Sequence, residues 1–288
     1  EPLAGIPDVF DFPRDIQPIL DKHCIRCHND RRRDGKVILM GDRGPVYSHS
    51  YYTLTALGYV SDGRDRIETN LPPRSVGTSA SPLMKMLDGG HYAAKLSARE
   101  QDMLRYWIES AAAYPGTYAA LGTGSIGDFP RSKLDTSDQH WPSSIAAAEA
   151  INRRCSKCHN KELPLPKGLS DDMGLVLSNP DFSEARVRCS RHLMFDLTRP
   201  DRSLILLGPL AKEAGGLELC REGKSSDEAA RVFGDTSDPD YQKILAMCRD
   251  GHERLESIKR FDMPGFRPTE SYVREMQRFG ILPQDLGD

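Results

Sequence analysis

Two short segments constrain this chain more than anything else in it: HCIRCHND at 23–30 and RCSKCHNK at 154–161. Each carries the pattern C-x-x-C-H-N, and they lie 131 residues apart (155 minus 24), so each stands near the start of one half of a 288-residue chain. A cysteine pair of this spacing has three chemical uses. Structural zinc needs four tetrahedral ligands; two such pairs could supply four thiolates, but the gap is far longer than a compact zinc module uses. A thioredoxin-like redox pair needs a βαβ context, and strand signals here are few and weak. Covalent attachment of haem c uses both thiols, which add to the haem vinyl groups, and needs an iron ligand at the next position. Histidine is a good iron ligand and stands there both times. The expectation is two haem c groups held covalently by Cys24, Cys27, Cys155 and Cys158, with His28 and His159 as proximal iron ligands.

The residues after each motif set out two similar halves. Ser81-Pro82 reads as a helix start, with Leu83, Met86 and Leu87 as its apolar face. Ser97 with Glu100 three residues on is a capping box, and Leu104, Trp107 and Ile108 follow at helical spacing up to Pro115-Gly116. In the second half Arg202-Ser203-Leu204 takes the place of Ala80 to Leu83. The segment from Ser237 onward is helical by composition, capped by Asp238 or Ser237 and interrupted at Gly251. A short amphipathic helix near the C-terminus points Tyr272, Val273, Met276 and Phe279 inward. Residues 115–142 are dense in Gly, Pro, Ser and Thr and read as a connection. The predicted fold is mostly α: two cytochrome c-like haem modules with long irregular loops, the first over 1–120 and the second, with the C-terminal helix, over 121–288. Loops of this length call for something large to fold around, which a haem in each half would supply.

What faces each iron across from His28 and His159 decides whether the protein carries electrons or does chemistry. His91 follows Gly89-Gly90 between two helices, where backbone can approach a flat ring, and is the expected distal ligand of the first haem, with His49 as its rival. For the second haem the choice lies between His252, four residues after Cys248, and His192, three after Cys189. His23 is too close to Cys24 to cross the ring, and Met84 and Met86 read as core. A cysteine could serve instead, but a Cys220–Cys248 disulfide is the more ordinary use of the spare thiols. Arg31, Arg32 and Arg33 after the first motif, and Arg153 and Arg154 before the second, are either a solvated charge run or partners of haem propionates.

Net charge is −3 and no basic face is forced, so nucleic acid is not the expected partner. No run of about 18 apolar residues is present, so no membrane span is expected. The chain opens at Glu1 without a methionine, which fits a processed protein. Haem c is normally assembled outside the bacterial cytoplasm, so a periplasmic or otherwise extracytoplasmic location and a redox partner protein are expected.

Longer phrases carry a resemblance. DFPRDIQPILDKHCIRCHN and SPLMKMLDGGHYAAKLSAREQDMLRYWIESAAAYPGTY resemble planctomycete-type cytochrome c domains. LTRPDRSLILLGPLAKEAGG and RFDMPGFRP look like the second half of the di-haem C-terminal region of the hydrazine synthase α-subunit family. The resemblance covers nearly the whole chain. It implies a mostly α di-haem region in which one haem is bis-histidine and transfers electrons while the other handles small nitrogen species. In that family a tyrosine close after the first motif acts on the iron; here Asn29-Asp30-Arg31-Arg32-Arg33 holds none, so His28 is free to ligate in the ordinary way. The expected function is electron transfer through two haems. The alternatives are a haem enzyme with an open first iron acting on a small nitrogen species, and a di-haem peroxidase.

Overall fold

The computed structural model describes residues 4–63, 70–116, 136–175, 184–221, 228–280 and 282–284. The fold is mostly α. Among the described residues strand pairing is limited to three isolated bridges, Arg43 with Ser48, Leu210 with Phe233 and Arg221 with Ala229. The first half contains α1 (Gln17–His23), α2 (His49–Ala56), α3 (Pro82–Asp88) and α4 (Ala98–Glu109). The second contains α5 (Pro142–Cys155), three single turns α6 (Ala185–Arg188), α7 (Arg191–Met194) and α8 (Leu204–Leu207), then α9 (Pro239–Ile258) and α10 (Glu270–Arg278).

Local chemistry explains most of these boundaries. α4 begins at the expected capping box, Ser97 and Glu100 each satisfying the other's backbone N–H. Its Met103, Leu104, Trp107 and Ile108 are buried one helical turn apart. They meet Phe12, whose ring centre lies 5.3 Å from Trp107 and 5.2 Å from Tyr51. Ser81 and Ser203 play matching parts. Each is buried at the head of a short helix, and each hydroxyl accepts a hydrogen bond from a preceding loop, at 2.9 Å from Ser61 N and from Asp196 N. The predicted correspondence of these two serines is therefore a real structural repeat.

The second half is organised by α5 and α9, which lie antiparallel. Ser143 donates to Asp250 at 2.5 Å at one end, and Arg154 reaches Asp238 at 2.5 Å at the other. Asp238 caps α9. The helix is not interrupted at Gly251. A Cβ there would fall 2.6 Å from Leu169 Cδ1 and 2.9 Å from Leu197 Cδ2, so the glycine serves close approach rather than a break. α10 forms as predicted, but its apolar side is not sealed: Phe279 is 69% exposed, and Tyr272, Val273 and Met276 are only half-buried. The connection expected over 115–142 lies mostly outside the described residues. No described helix is long and apolar enough to cross a membrane.

Two apolar clusters follow the two halves, one around Phe12, Tyr51 and Trp107, the other around Phe195, Phe233 and Met247, which also recruits Tyr52 and Ala56 of α2. Polar groups close the junction. Tyr114 donates to Asp262 at 2.8 Å, and the fully buried Arg260 grips Asp262 while donating to the carbonyls of Gly44 and Pro45 at 2.9 and 3.0 Å. Leu197 N donates to Arg43 O at 2.7 Å. Buried charges are tolerated here because each is paired and hydrogen-bonded. The Cys220–Cys248 disulfide does not form. All seven cysteines are free, and Cys248 is fully buried beneath Ser203, whose hydroxyl lies 3.5 Å from its sulfur.

Candidate functional site

Both C-x-x-C-H-N motifs fold into the same turn at the end of a helix. Cys27 N and His28 N donate to Cys24 O at 3.1 and 3.0 Å, and Cys158 N and His159 N donate to Cys155 O at 3.1 and 2.7 Å. The asparagine repeated in the sequence has a mechanical use. Asn29 Oδ1 accepts from the backbone of Arg31 and Arg32, and Asn160 Oδ1 accepts from Glu162 N at 2.9 Å, so each locks the loop beyond its histidine. Each imidazole is then fixed by a carbonyl. His28 Nδ1 donates to Asp34 O at 3.0 Å and His159 Nδ1 to Leu163 O at 3.1 Å. A carbonyl only accepts, so the proton sits on Nδ1 and Nε2 keeps its lone pair for a metal.

In each motif the first cysteine is poorly suited to thiol exchange. Burial pushes Cys24 and Cys155 each up to about 11, whereas a nucleophilic C-x-x-C thiol has a lowered pKa. Nor do the four thiols meet. Among the described residues, three or more metal-binding side chains come together only at Asp42, His49 and Asp196. That removes the four-thiolate zinc reading on geometry.

His91 stands where the sequence reading expects a partner for His28. The two ring centres are 6.0 Å apart and their planes differ by 14°. Gly90, with φ of +77°, makes the turn that delivers His91 from the end of α3. That separation lies within the range of a loosely stacked ring pair. Burial lowers the His28 pKa, which favours the neutral, ligating form.

Around the second motif the structure is different. His252 Nδ1 donates to Leu197 O at 2.8 Å, the same way the two motif histidines are held. Yet it sits near the Ser143 end of the α5–α9 pair, and Asp240, at the Arg153 end beside the motif, is 12 residues earlier (252 minus 240), about 18 Å along the helix. His192 is fully buried between the rings of Tyr47 and Tyr52, at 5.4 and 5.0 Å, with neither nitrogen hydrogen-bonded. No described imidazole stands opposite His159 as His91 stands opposite His28. Burial, with Cys158 as a lesser neighbour, raises the thiol of Cys220 beside this motif.

The remaining expectations resolve into structural parts. His49 does not face His28. Its Nε2 bonds to Phe195 O at 3.1 Å, and it groups with Asp42 and Asp196, donor atoms within 4.8 Å of one another. Burial raises Asp196 to about 6. Both carboxylates are already engaged, Asp42 by Arg199 at 2.5 Å and Asp196 by the backbone N–H groups of Thr198 and Arg199. The cluster is thus a polar junction between the halves. No spacing in the sequence announces it. Arg153 and Arg154 clamp Asp240 at the head of α9 and hold its carboxyl well below the usual range. Compared with models of protein families, with curated proteins and with solved structures, the chain matches none.

Proposed function

We propose that this chain is a di-haem c-type cytochrome of the periplasm or another extracytoplasmic compartment, moving electrons between two covalently bound haems and a redox partner protein. The observation that carries the reading is the pair of facing imidazoles at His28 and His91. Two imidazoles bound in trans to one metal, with bonds of about 2.0 Å and about 1.1 Å more to each ring centre, stand about 6.2 Å apart. The separation here is 6.0 Å with nearly parallel planes. The residues fit the group: Cys24 and Cys27 would hold the first haem and Cys155 and Cys158 the second, with His28, His91 and His159 available to iron. Haem, when bound, supplies a one-electron couple whose potential the axial ligands tune. The protein's part is to fix the His28 and His159 imidazoles through their Nδ1 carbonyl bonds and to join the two sites. Arg31 donates to Gly215 O, Ala211 N donates to Phe233 O at 3.0 Å, and Arg154 lies over the Phe233 ring at 5.7 Å. These contacts link the segment after the first motif to the residue before the second.

One observation favours a second reading, a haem enzyme with an open iron acting on a small nitrogen species. Among the described residues no imidazole faces His159, so in this reading the open position is at the second motif rather than at the first. Absorption and EPR spectra of the oxidised and reduced protein, with and without carbon monoxide, decide between them. A protein without haem sinks both readings. Two low-spin haems indifferent to carbon monoxide establish a pure carrier. One low-spin haem beside a high-spin haem that binds carbon monoxide supports the second reading.

A further inference from the structure

A cavity of about 90 Å³ lies where the halves meet. Its walls come from the loop after the first motif (Arg33, Lys36, Ile38), from Thr53 of α2 and Leu57 at its C-cap, and from the second half (Arg188, Leu193, Leu204). The charged part of that wall is wholly cationic: Arg33, Lys36 and Arg188, with no carboxylate. Thr53 is 1% exposed, yet its buried Oγ1 has no hydrogen-bond partner, and the Nε of Arg33 is also buried and unpaired. Native interiors rarely leave such groups unsatisfied unless something else meets them. Neighbouring cations are already engaged, Arg32 by Asp34 at 2.7 Å and Arg199 by Asp42. Arg33 is half-buried with no acid beside it, and burial alone lowers its pKa.

We propose that this cavity binds one carboxylate or small oxyanion, received by the Arg33 guanidinium and the Thr53 hydroxyl within the field of Lys36 and Arg188. Two sources fit that chemistry. One is the carboxylate arm of a haem on Cys24 and Cys27, which rests on the reading above. The Asp34 carbonyl that fixes His28 adjoins Arg33, and the apolar wall of Ile38, Leu57, Leu193 and Leu204 suits a carboxylate on an apolar body. The other is a free anion such as phosphate, which needs no haem.

The test compares the full chain with Arg33→Gln and with the near-isosteric Thr53→Val, the second guarding against a fold defect in the first. Melting temperature is followed against inorganic phosphate at constant ionic strength, and the midpoint potential of each haem is measured. A saturable rise in melting temperature for the wild type, lost in both variants, establishes a free-anion site. No response to phosphate, with a lower potential at the first haem alone in Arg33→Gln, establishes a built-in carboxylate. The proposal is overturned if wild type and variants respond equally to phosphate, or if neither melting temperature nor potential distinguishes them. A haem-free chain fails the cytochrome reading, which a pyridine haemochrome assay reports independently, and leaves the phosphate response to judge the cavity.

Discussion

At the first motif the His28 ring looks across 6.0 Å at His91. At the second, the His159 ring is anchored by the same kind of carbonyl bond and faces no described imidazole. The two turns share the pair of backbone bonds that the second cysteine and the histidine give to the first cysteine's carbonyl. What differs is the loop that follows the matching short helix in each half. After α3 the chain reads Gly89-Gly90-His91, and the left-handed Gly90 swings a histidine toward the motif. After α8 the corresponding glycine turn, Lys212 to Gly216, contains no histidine, and Gly215 offers its carbonyl to Arg31 instead. Two similar turns thus have an imidazole beside the motif histidine in one half and no described imidazole there in the other. The difference teaches that a C-x-x-C-H-N segment fixes its own turn, while what stands beside its histidine is set by a separate, non-adjacent loop.

The largest effect expected tests whether the two sites are separable. Replacing Cys24 and Cys27 together by serine removes one haem of two, and replacing Cys155 and Cys158 removes the other, as measured by pyridine haemochrome per chain. If either pair abolishes both haems, the halves do not load independently and the comparison collapses. Next comes ligand loss. His91→Ala converts the first haem to a carbon monoxide-binding form while the second keeps its spectrum; an unchanged first haem would show that His91 is not its ligand.

Stability should differ between the halves in kind. Trp107→Ala empties the first core and costs about 3–5 kcal/mol, whereas Gly251→Ala overcrowds the second, where Leu169 and Leu197 leave no room, and costs about 1–3 kcal/mol. Urea denaturation measures both, and a neutral Gly251→Ala would mean that Leu169 and Leu197 are not held against α9 as closely as they stand here. Smallest is Asp240→Asn, which releases Arg153 and Arg154 and costs about 0.5–1 kcal/mol at neutral pH for a pair near the surface. Because the folded pKa of Asp240 lies below the unfolded value of about 3.9, its contribution is full above that pH and is lost as pH falls through the folded pKa. Wild type and variant should therefore converge in acid; a gap that persists at low pH would assign the effect to something other than the ion pair.

Much of this was legible in the chain. The capping box at Ser97, the serine at the head of α8 and the cap at Asp238 are local signals, each written within a few residues of its effect. Gly251 misleads because a helix-interior glycine means either a break or a close approach, and only the leucines against it tell which. α10 misleads because periodicity defines an apolar face without providing a surface to bury it. The spare cysteines misled in the same way: pairing depends on where Cys220 and Cys248 end up, and Cys248 ends under Ser203.

By itself, the sequence determined the two C-x-x-C-H-N turns, the histidines within them and a mostly helical frame. Those features rest on hydrogen bonds that span about four residues, so composition and spacing contain them. Tertiary structure brought His91, which the Gly89-Gly90 pair already marked, to His28 across 63 residues (91 minus 28), and it alone decided that His252 is carried away from His159 along α9 and that Asp42 and Asp196 converge on His49. It also left Arg33 and Thr53 lining a cavity with no acid beside them. Such meetings depend on how helices pack and where loops return, and no local period in a chain encodes them.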